Sequence, residues 1–356
     1  MELFRIGRRK AMLASSSGLL AGAFPMLSLR AQSGFTDPTR IRIGVAPYIS
    51  NGPYLIAEAK GYFRKLNLDV VPTVHVDGSL SMPSLVAGEL DITGATMSAG
   101  LFNLMSKGAG IRLFMEAGRE APGMGSNAIM VSNELYDRGF RNQDGYRLVK
   151  GQTIAISSRG SVAHYLHTVG LERAGLSVND VDWRWGMSPP TGLSLMSQGR
   201  VGLANVPLPG AYIAQNQGIG KVGTWSDEIA PNFVLACSAA SERFLNERHN
   251  VAVRFGMAML QARREYMEAA RNGTPEIIEI IAKGTNLAPK VIDDSRPRWT
   301  EMSLDGQPYQ QSVFEQQRFW NQKTDLLART VPEDRMFDLR ALTEAKKRLD
   351  DSNPFI

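Results

Sequence analysis

A single cysteine, Cys237, in 356 residues excludes an internal disulfide, so the fold has to be held by its core. Cys237 ends the apolar run Phe233–Cys237 and reads as a small buried hydrophobe. Histidine is scarce too. His164 and His167 share a helix face, but no carboxylate or cysteine joins them at metal spacing, so no metal and no cofactor is expected. The sequence has no G-x-x-x-x-G-K-[ST] phosphate loop, no G-x-G-x-x-G dinucleotide turn and no G-x-S-x-G nucleophile elbow. No residue set has the pattern of an acid–base or nucleophile pair, and binding without catalysis is the better reading.

Long apolar runs are missing after the first 31 residues. There, Arg5, Arg8, Arg9 and Lys10 precede the acid-free stretch Ala11–Leu29, and small residues follow around Ala31. A basic start, an apolar middle and a small-residue end are the order of a cleaved export signal. Ser15–Ser17, Gly18, Gly22 and Pro25 make the stretch a poor membrane span. The Arg8-Arg9 pair fits the twin-arginine route, except that Ala11 stands where an aromatic or leucine is usual, so general secretion is the first expectation. Export from the cytoplasm follows. The chain's net charge of +5 is mostly the leader's: residues 1–31 carry five Lys/Arg against one Glu, which leaves +1 for the rest. Nucleic-acid binding thereby loses its electrostatic support.

What is present is a repeat. Ile43 and Val45 align with Ile154 and Ile156, Val70 with Val181, and Gly88 with Gly199, all at an offset of 111 residues. Each copy reads strand, loop, helix, strand, helix, strand, the pattern of a parallel sheet with helices on its faces. The expected class is therefore α/β with two similar lobes. From Ser241 onward the signal is helical, with segments at Val251–Arg271, Pro275–Lys283, Tyr309–Leu327 and Leu339–Leu349. Thr274-Pro275 has the form of a capped helix start, and the helices are expected to pack mostly on the first lobe.

The offset also picks out two equivalent loops, Ala46–Ser50 and Ser157–Ser161, each at the carboxyl end of its copy's first strand. That edge of an open α/β sheet is where ligands bind. Gly160 permits close backbone approach, Ser158 and Ser161 can donate hydrogen bonds, and Arg159 can grip an anion with two prongs. Pro47, Tyr48 and Ser50 form the corresponding wall. Ser79 and Ser188 precede the second helix of each copy, while Thr96, Met97 and Ser98 follow the third strand of copy one and Asn205 follows its counterpart. Arg119, after Ile111–Ala117, could neutralise an anion where the lobes join. Each of these residues also has an ordinary structural reading: caps, turn formers and surface charges look the same in sequence. Trp183 and Trp185 alternate along a strand and read as core.

Gly61-Tyr62-Phe63 with Leu66–Val70, Leu85–Asp91, Lys150–Ile156 and Leu171–Val181 together resemble the periplasmic solute-binding proteins of ABC importers, in the branch for nitrate, sulfonate, taurine and pyrimidine-precursor ligands. The resemblance covers nearly all of residues 41–350. It implies a two-lobed (type II) binding-protein fold, with the export signal at 1–31, lobe one at 40–122 plus 232–356, and lobe two at 127–228. The crossing segments should fall near Ala121–Ala128 and Ala230–Val234. It also implies a monomer that delivers a small organic anion, a sulfonate or carboxylate, to a membrane permease driven by an ATPase. The alternatives are a binder of neutral pyrimidine-type heterocycles and a pyrimidine-precursor synthase on the same fold. The synthase needs a cysteine-rich motif that is absent here. One departure stands out: copy one keeps Asp91 after its glycine turn, whereas copy two has Gly202 at the equivalent position.

Overall fold

A computed structural model describes residues 39–46, 48–75 and 78–356; the leader and Pro47 lie outside the described residues, as does the side chain of Ser79. Strands and helices alternate from the start. β1 (Thr39–Val45), α1 (Gly52–Ala59), α2 (Tyr62–Lys65), β2 (Leu68–Val74), α3 (Met82–Val86), β3 (Ile92–Thr96), α4 (Ala99–Ser106), β4 (Ile111–Glu116) and β5 (Arg119–Glu120) come first. Next are β6 (Asn127–Val131), α5 (Asn133–Asp137), β7 (Thr153–Ala155), α6 (Val162–Arg173), β8 (Asp182–Arg184), α7 (Pro189–Ser197), β9 (Leu203–Pro207), α8 (Gly210–Asn216), β10 (Lys221–Trp225) and α9 (Ser226–Ile229). β11 (Phe233–Val234) and β12 (Ala236–Ser241) lead into α10 (Glu242–Glu247), α11 (His249–Asn272), α12 (Pro275–Thr285), α13 (Pro289–Ser295), α14 (Gln310–Gln322) and α15 (Arg340–Asp351). Among the described residues no helix is long and apolar enough to cross a membrane.

The strands form two five-stranded sheets, ordered β2-β1-β3-β12-β4 and β8-β7-β9-β6-β10. The repeat is kept down to register. Arg42 faces Val71 and Thr153 faces Asp182, so both partners move by the same 111 residues. Ile43 faces Ile92 and Ile154 faces Leu203 in the same way. A one-residue slip would turn every side chain to the wrong face, which fixes the two sheets alike. The fourth strand of each sheet is antiparallel and is supplied after the chain has crossed over: β6 enters the second sheet and β12 returns to the first. The crossings pair with each other as β5 and β11.

Strand alternation sorts the first sheet's two faces. Cys237 and Ala239 of β12 and Leu113 of β4 join the cluster beneath α4 and α14, whereas Ala240 and Phe114 join the cluster beneath α1 and α11. Cys237 is fully buried, as its apolar surroundings in the sequence suggested, and burial pushes its thiol well above the ordinary range. The helices end as their sequences dictate. Gly61 and Gly273, both left-handed, lie just past α1 and α11. Thr274 takes the cap position of α12 with Pro275 behind it, but its hydroxyl makes no capping bond, so the proline's fixed φ sets that start.

The one departure from the repeat has a local cause. Asp91 is held by Arg42 at 3.0 Å and Arg248 at 3.3 Å. At the equivalent place a side chain on Gly202 would meet Gln152 Oε1 at 2.5 Å, so the second copy fills the position with a neutral amide from its neighbour. The C-terminal helices cover the first lobe as expected, with α11 against α1 and α15, but two stretches reach the second lobe. Arg298 pairs with Asp227 at 2.9 Å, and the end of α14 packs Phe319 against Tyr165 of α6. Trp185 departs from the core reading: it lies one residue beyond β8 and is exposed, while Trp183, stacked on it at 5.0 Å, packs against the second lobe's core.

Candidate functional site

The turn between β7 and α6 is built from local hydrogen bonds. Ser161 sits at the cap position of α6 and its hydroxyl accepts from His164 N–H at 3.3 Å. His164 Nδ1 in turn accepts from Gly160 N–H at 3.1 Å. Gly160 has φ +83°, which a side chain would strain, and a Cβ there would stand 3.0 Å from Ala99 Cβ. The two backbones come close enough to bond: Ala99 N–H, at the start of α4, donates to Gly160 C=O at 3.0 Å. The carboxyl-edge loops of the two sheets are thus hydrogen-bonded directly to each other. The contact comes from the loop after β3 rather than from Ala46–Ser50, the segment that the offset pairs with this turn.

Ser98 caps α4, accepting from Leu101 N–H at 3.2 Å, and Ser188 caps α7, accepting from Thr191 N–H at 3.3 Å. Met97 is fully buried, because β3 continues to it through a bond to Leu235 C=O and alternation turns it inward. Thr96 ends β3 opposite Ala236. Tyr48 and Ser50 are half-buried in the loop after β1, and Ser158 is exposed. Asn205 lies in the middle of β9 rather than after it, and its amide nitrogen is buried with no hydrogen-bond partner among the described residues. Arg119 is paired with Glu301 and lies 5.7 Å from the Tyr309 ring centre, so its charge is already answered at the crossing.

Arg159 is also paired, with Asp325 at 2.7 Å in the segment after α14. Its charge still acts locally. Burial, and then the nearby guanidinium of Arg159, hold His164 down to about 4. His167, bonded to Tyr146 Oη at 2.9 Å, is held to about 3 by burial and by His164. Both imidazoles are neutral at physiological pH and serve as fixed hydrogen-bonding groups. Among the described residues no group of three or more His, Cys, Asp or Glu could hold a metal ion.

Sequence reasoning passed over Gly94, Ser238 and Arg263, which line a cavity in the first lobe together with Ser50. One signal was available. Phe255, Met259 and Arg263 recur every four residues on α11, so an arginine interrupts an otherwise apolar stripe.

The comparisons agree with this architecture. A ligand-binding component of an ABC-type import system from Staphylococcus aureus superposes with a TM-score of 0.69 at 16% identity, over 86% of this chain and 99% of that one. The alkanesulfonate-binding protein SsuA from Xanthomonas axonopodis pv. citri, bound to MOPS, gives 0.66 at 18% identity, over 85% and 99%. The desulfurization enzyme DSZB gives 0.62 at 15% identity, over 87% and 99%. At these identities the likeness is one of fold, that of the two-lobed periplasmic binding proteins. No curated protein matches the sequence significantly. The NMT1-like family model matches residues 35–282, well over half of the chain, and the protein belongs to that family.

Proposed function

We propose that the protein is the substrate-capturing component of an ABC importer, which closes two lobes on a small organic anion, a sulfonate or carboxylate. The observation that carries this reading is the hydrogen bond from Ala99 N–H to Gly160 C=O, which joins the carboxyl-edge loops of two duplicated sheets. Ligands of open α/β sheets bind at that edge, and a contact made there in the closed form is what a partner can sense. Ser50 and Thr96 on one side, and Ser158 and Asn205 on the other, supply short hydrogen-bonding groups. The unpartnered amide of Asn205 is a donor of the kind an anion satisfies. Arg159, tied to Asp325, acts in this reading as a latch on the closed form. The expected partners are a permease and its ATPase, met by an exported monomer in the periplasm. The named relatives, an import-system component and an alkanesulfonate-binding protein, support this assignment.

Titration calorimetry against short sulfonates, carboxylates and pyrimidines tests the reading. Heat is expected from sulfonates or carboxylates and none from pyrimidines. Binding of neutral heterocycles alone would replace the anion assignment with the heterocycle one. The likeness to a desulfurization enzyme supports a second reading, an enzyme on this fold. Sulfur-containing products released from the sulfonates of the same panel would favour it. Cys237 would not be its nucleophile, being fully buried with a thiol held protonated.

A further inference from the structure

Between the first sheet and α11 lies a cavity of about 50 Å³. Close-packed interiors leave few voids of this size, and by volume it holds roughly three or four heavy atoms. Its position follows from the strand pattern. Ile43, Ile92 and Ser238 face α11 from neighbouring strands, and Phe255, Met259 and Arg263 face them from one stripe of the helix. The third residue on β3 is Gly94, and a Cβ built there meets nothing within 4 Å. A glycine in the middle of a sheet weakens it unless something must come close; here its missing side chain leaves the cavity open.

The charged group at this space is only partly satisfied. Arg263 is 1% exposed and donates from Nη1 to Ser303 C=O at 2.8 Å and from Nη2 to Glu116 C=O at 2.7 Å. Its Nε–H is buried with no protein partner. Ser50 and Ser238 also line the cavity, and the start of α1 lies beside them at Asn51 and Pro53. The carboxylate of Glu116 is engaged elsewhere, by the N–H groups of Ser303 and Tyr309 at 3.2 Å each. Burial lowers Arg263 to about 10, so it remains charged at neutral pH. An unpartnered donor on a buried cation is costly. The two carboxylates whose charge reaches Arg263, Glu116 and Asp305, are hydrogen-bonded to other donors. An acceptor carrying negative charge in the cavity would answer the Nε–H.

We propose that this cavity is the recess that takes the anionic head group of the captured ligand, with Arg263 Nε–H, Ser50 and Ser238 as its donors. The proposal rests on the anion-capture reading above and locates the charge recognition in the first lobe, away from Arg159. The head group is a carboxylate or sulfonate; its apolar remainder lies toward the loop after β1.

Propane-1-sulfonate and butyrate are titrated calorimetrically into the wild type, Gly94→Val and Ser238→Ala, with circular dichroism and melting temperature as the check on folding. Wild type is expected to bind at least one probe. Gly94→Val, which fills the recess at an ordinary φ, should bind it at least tenfold more weakly with the fold intact. Ser238→Ala should lose at least threefold. If Gly94→Val binds as wild type does, the recess is overturned while anion capture stands. If wild type binds neither probe, both fall. Should Gly94→Val fail to fold, Ser238→Ala decides: a threefold loss supports the recess and an unchanged affinity overturns it.

Discussion

His164 and His167 set the pH response at the scale of single residues. Their folded-state values of about 4 and about 3 lie below the ordinary 6.5 because burial disfavours the charged ring. Above pH 6.5 both states are neutral and the rings contribute no slope. As pH falls below 6.5 the unfolded chain takes up protons that the folded chain refuses, so the histidine share of stability drops until the pH nears 3. Glu116 and Glu120 oppose this, since burial raises their carboxyls and the folded state then holds more protons than the unfolded one near pH 4.5. The histidine share is therefore read as a difference. Between pH 6.5 and 5, the melting temperature of wild type should fall more steeply than that of His167→Phe; equal slopes would show that the ring does not titrate on unfolding. In sequence these two residues read as structural, because nothing with metal spacing stood near them, and in the fold both are buried. Arg159 could not be read so well. Its partner Asp325 is 166 residues away, and no local pattern links the two.

At the scale of elements, α14 is the piece with consequences beyond its own lobe. Trp320 is fully buried, with its ring centre 5.6 Å from that of His164 and 6.1 Å from that of Tyr165, both on α6. Asn103 of α4 donates to Leu326 C=O just beyond the helix, so the segment touches both lobes. Truncating a buried tryptophan typically costs about 3–5 kcal/mol, whereas an exposed ion pair is worth at most about 1 kcal/mol. Trp320→Ala should lower urea-unfolding stability by the larger amount and Lys323→Ala, whose 3.5 Å pair with Glu172 is exposed, by the smaller. Equal effects would remove α14 from its bridging role. The helix itself was legible: Tyr309–Leu327 was expected and Gln310–Gln322 is observed. Its apolar residues marked a buried face, but periodicity does not say which neighbours bury it, and the expectation of packing mostly on the first lobe did not place the bridge.

The whole molecule offers a thermodynamic handle on capture. A ligand that binds only the folded chain stabilises it through mass action, by about 2.7 kcal/mol at one hundred times its Kd. A sulfonate or carboxylate that binds in the calorimeter should therefore raise the melting temperature by a few degrees at that excess. A heat of binding with no thermal shift would mean that the anion associates with the unfolded chain as well. The first crossing strand is well satisfied. Glu120, fully buried in β5, accepts from Ser126 N–H and Oγ at 2.6 Å each and from Ser226 Oγ at the start of α9.

The duplicated α/β plan was determined by the sequence alone. Hydrophobic period and turn glycines are local signals, and the 111-residue offset carried them intact from one sheet to the other, register included. The strand exchange of β6 and β12, the bridge through α14 and the pairing of Arg159 with Asp325 were decided only in three dimensions. So was the recess. Ser50, Gly94, Ser238 and Arg263 are spread over more than two hundred residues, and each is ordinary in its own context. Sequence patterns record which way a side chain faces along its own element. Which elements meet, and which polar groups are then left without a partner, depends on packing between distant parts of the chain.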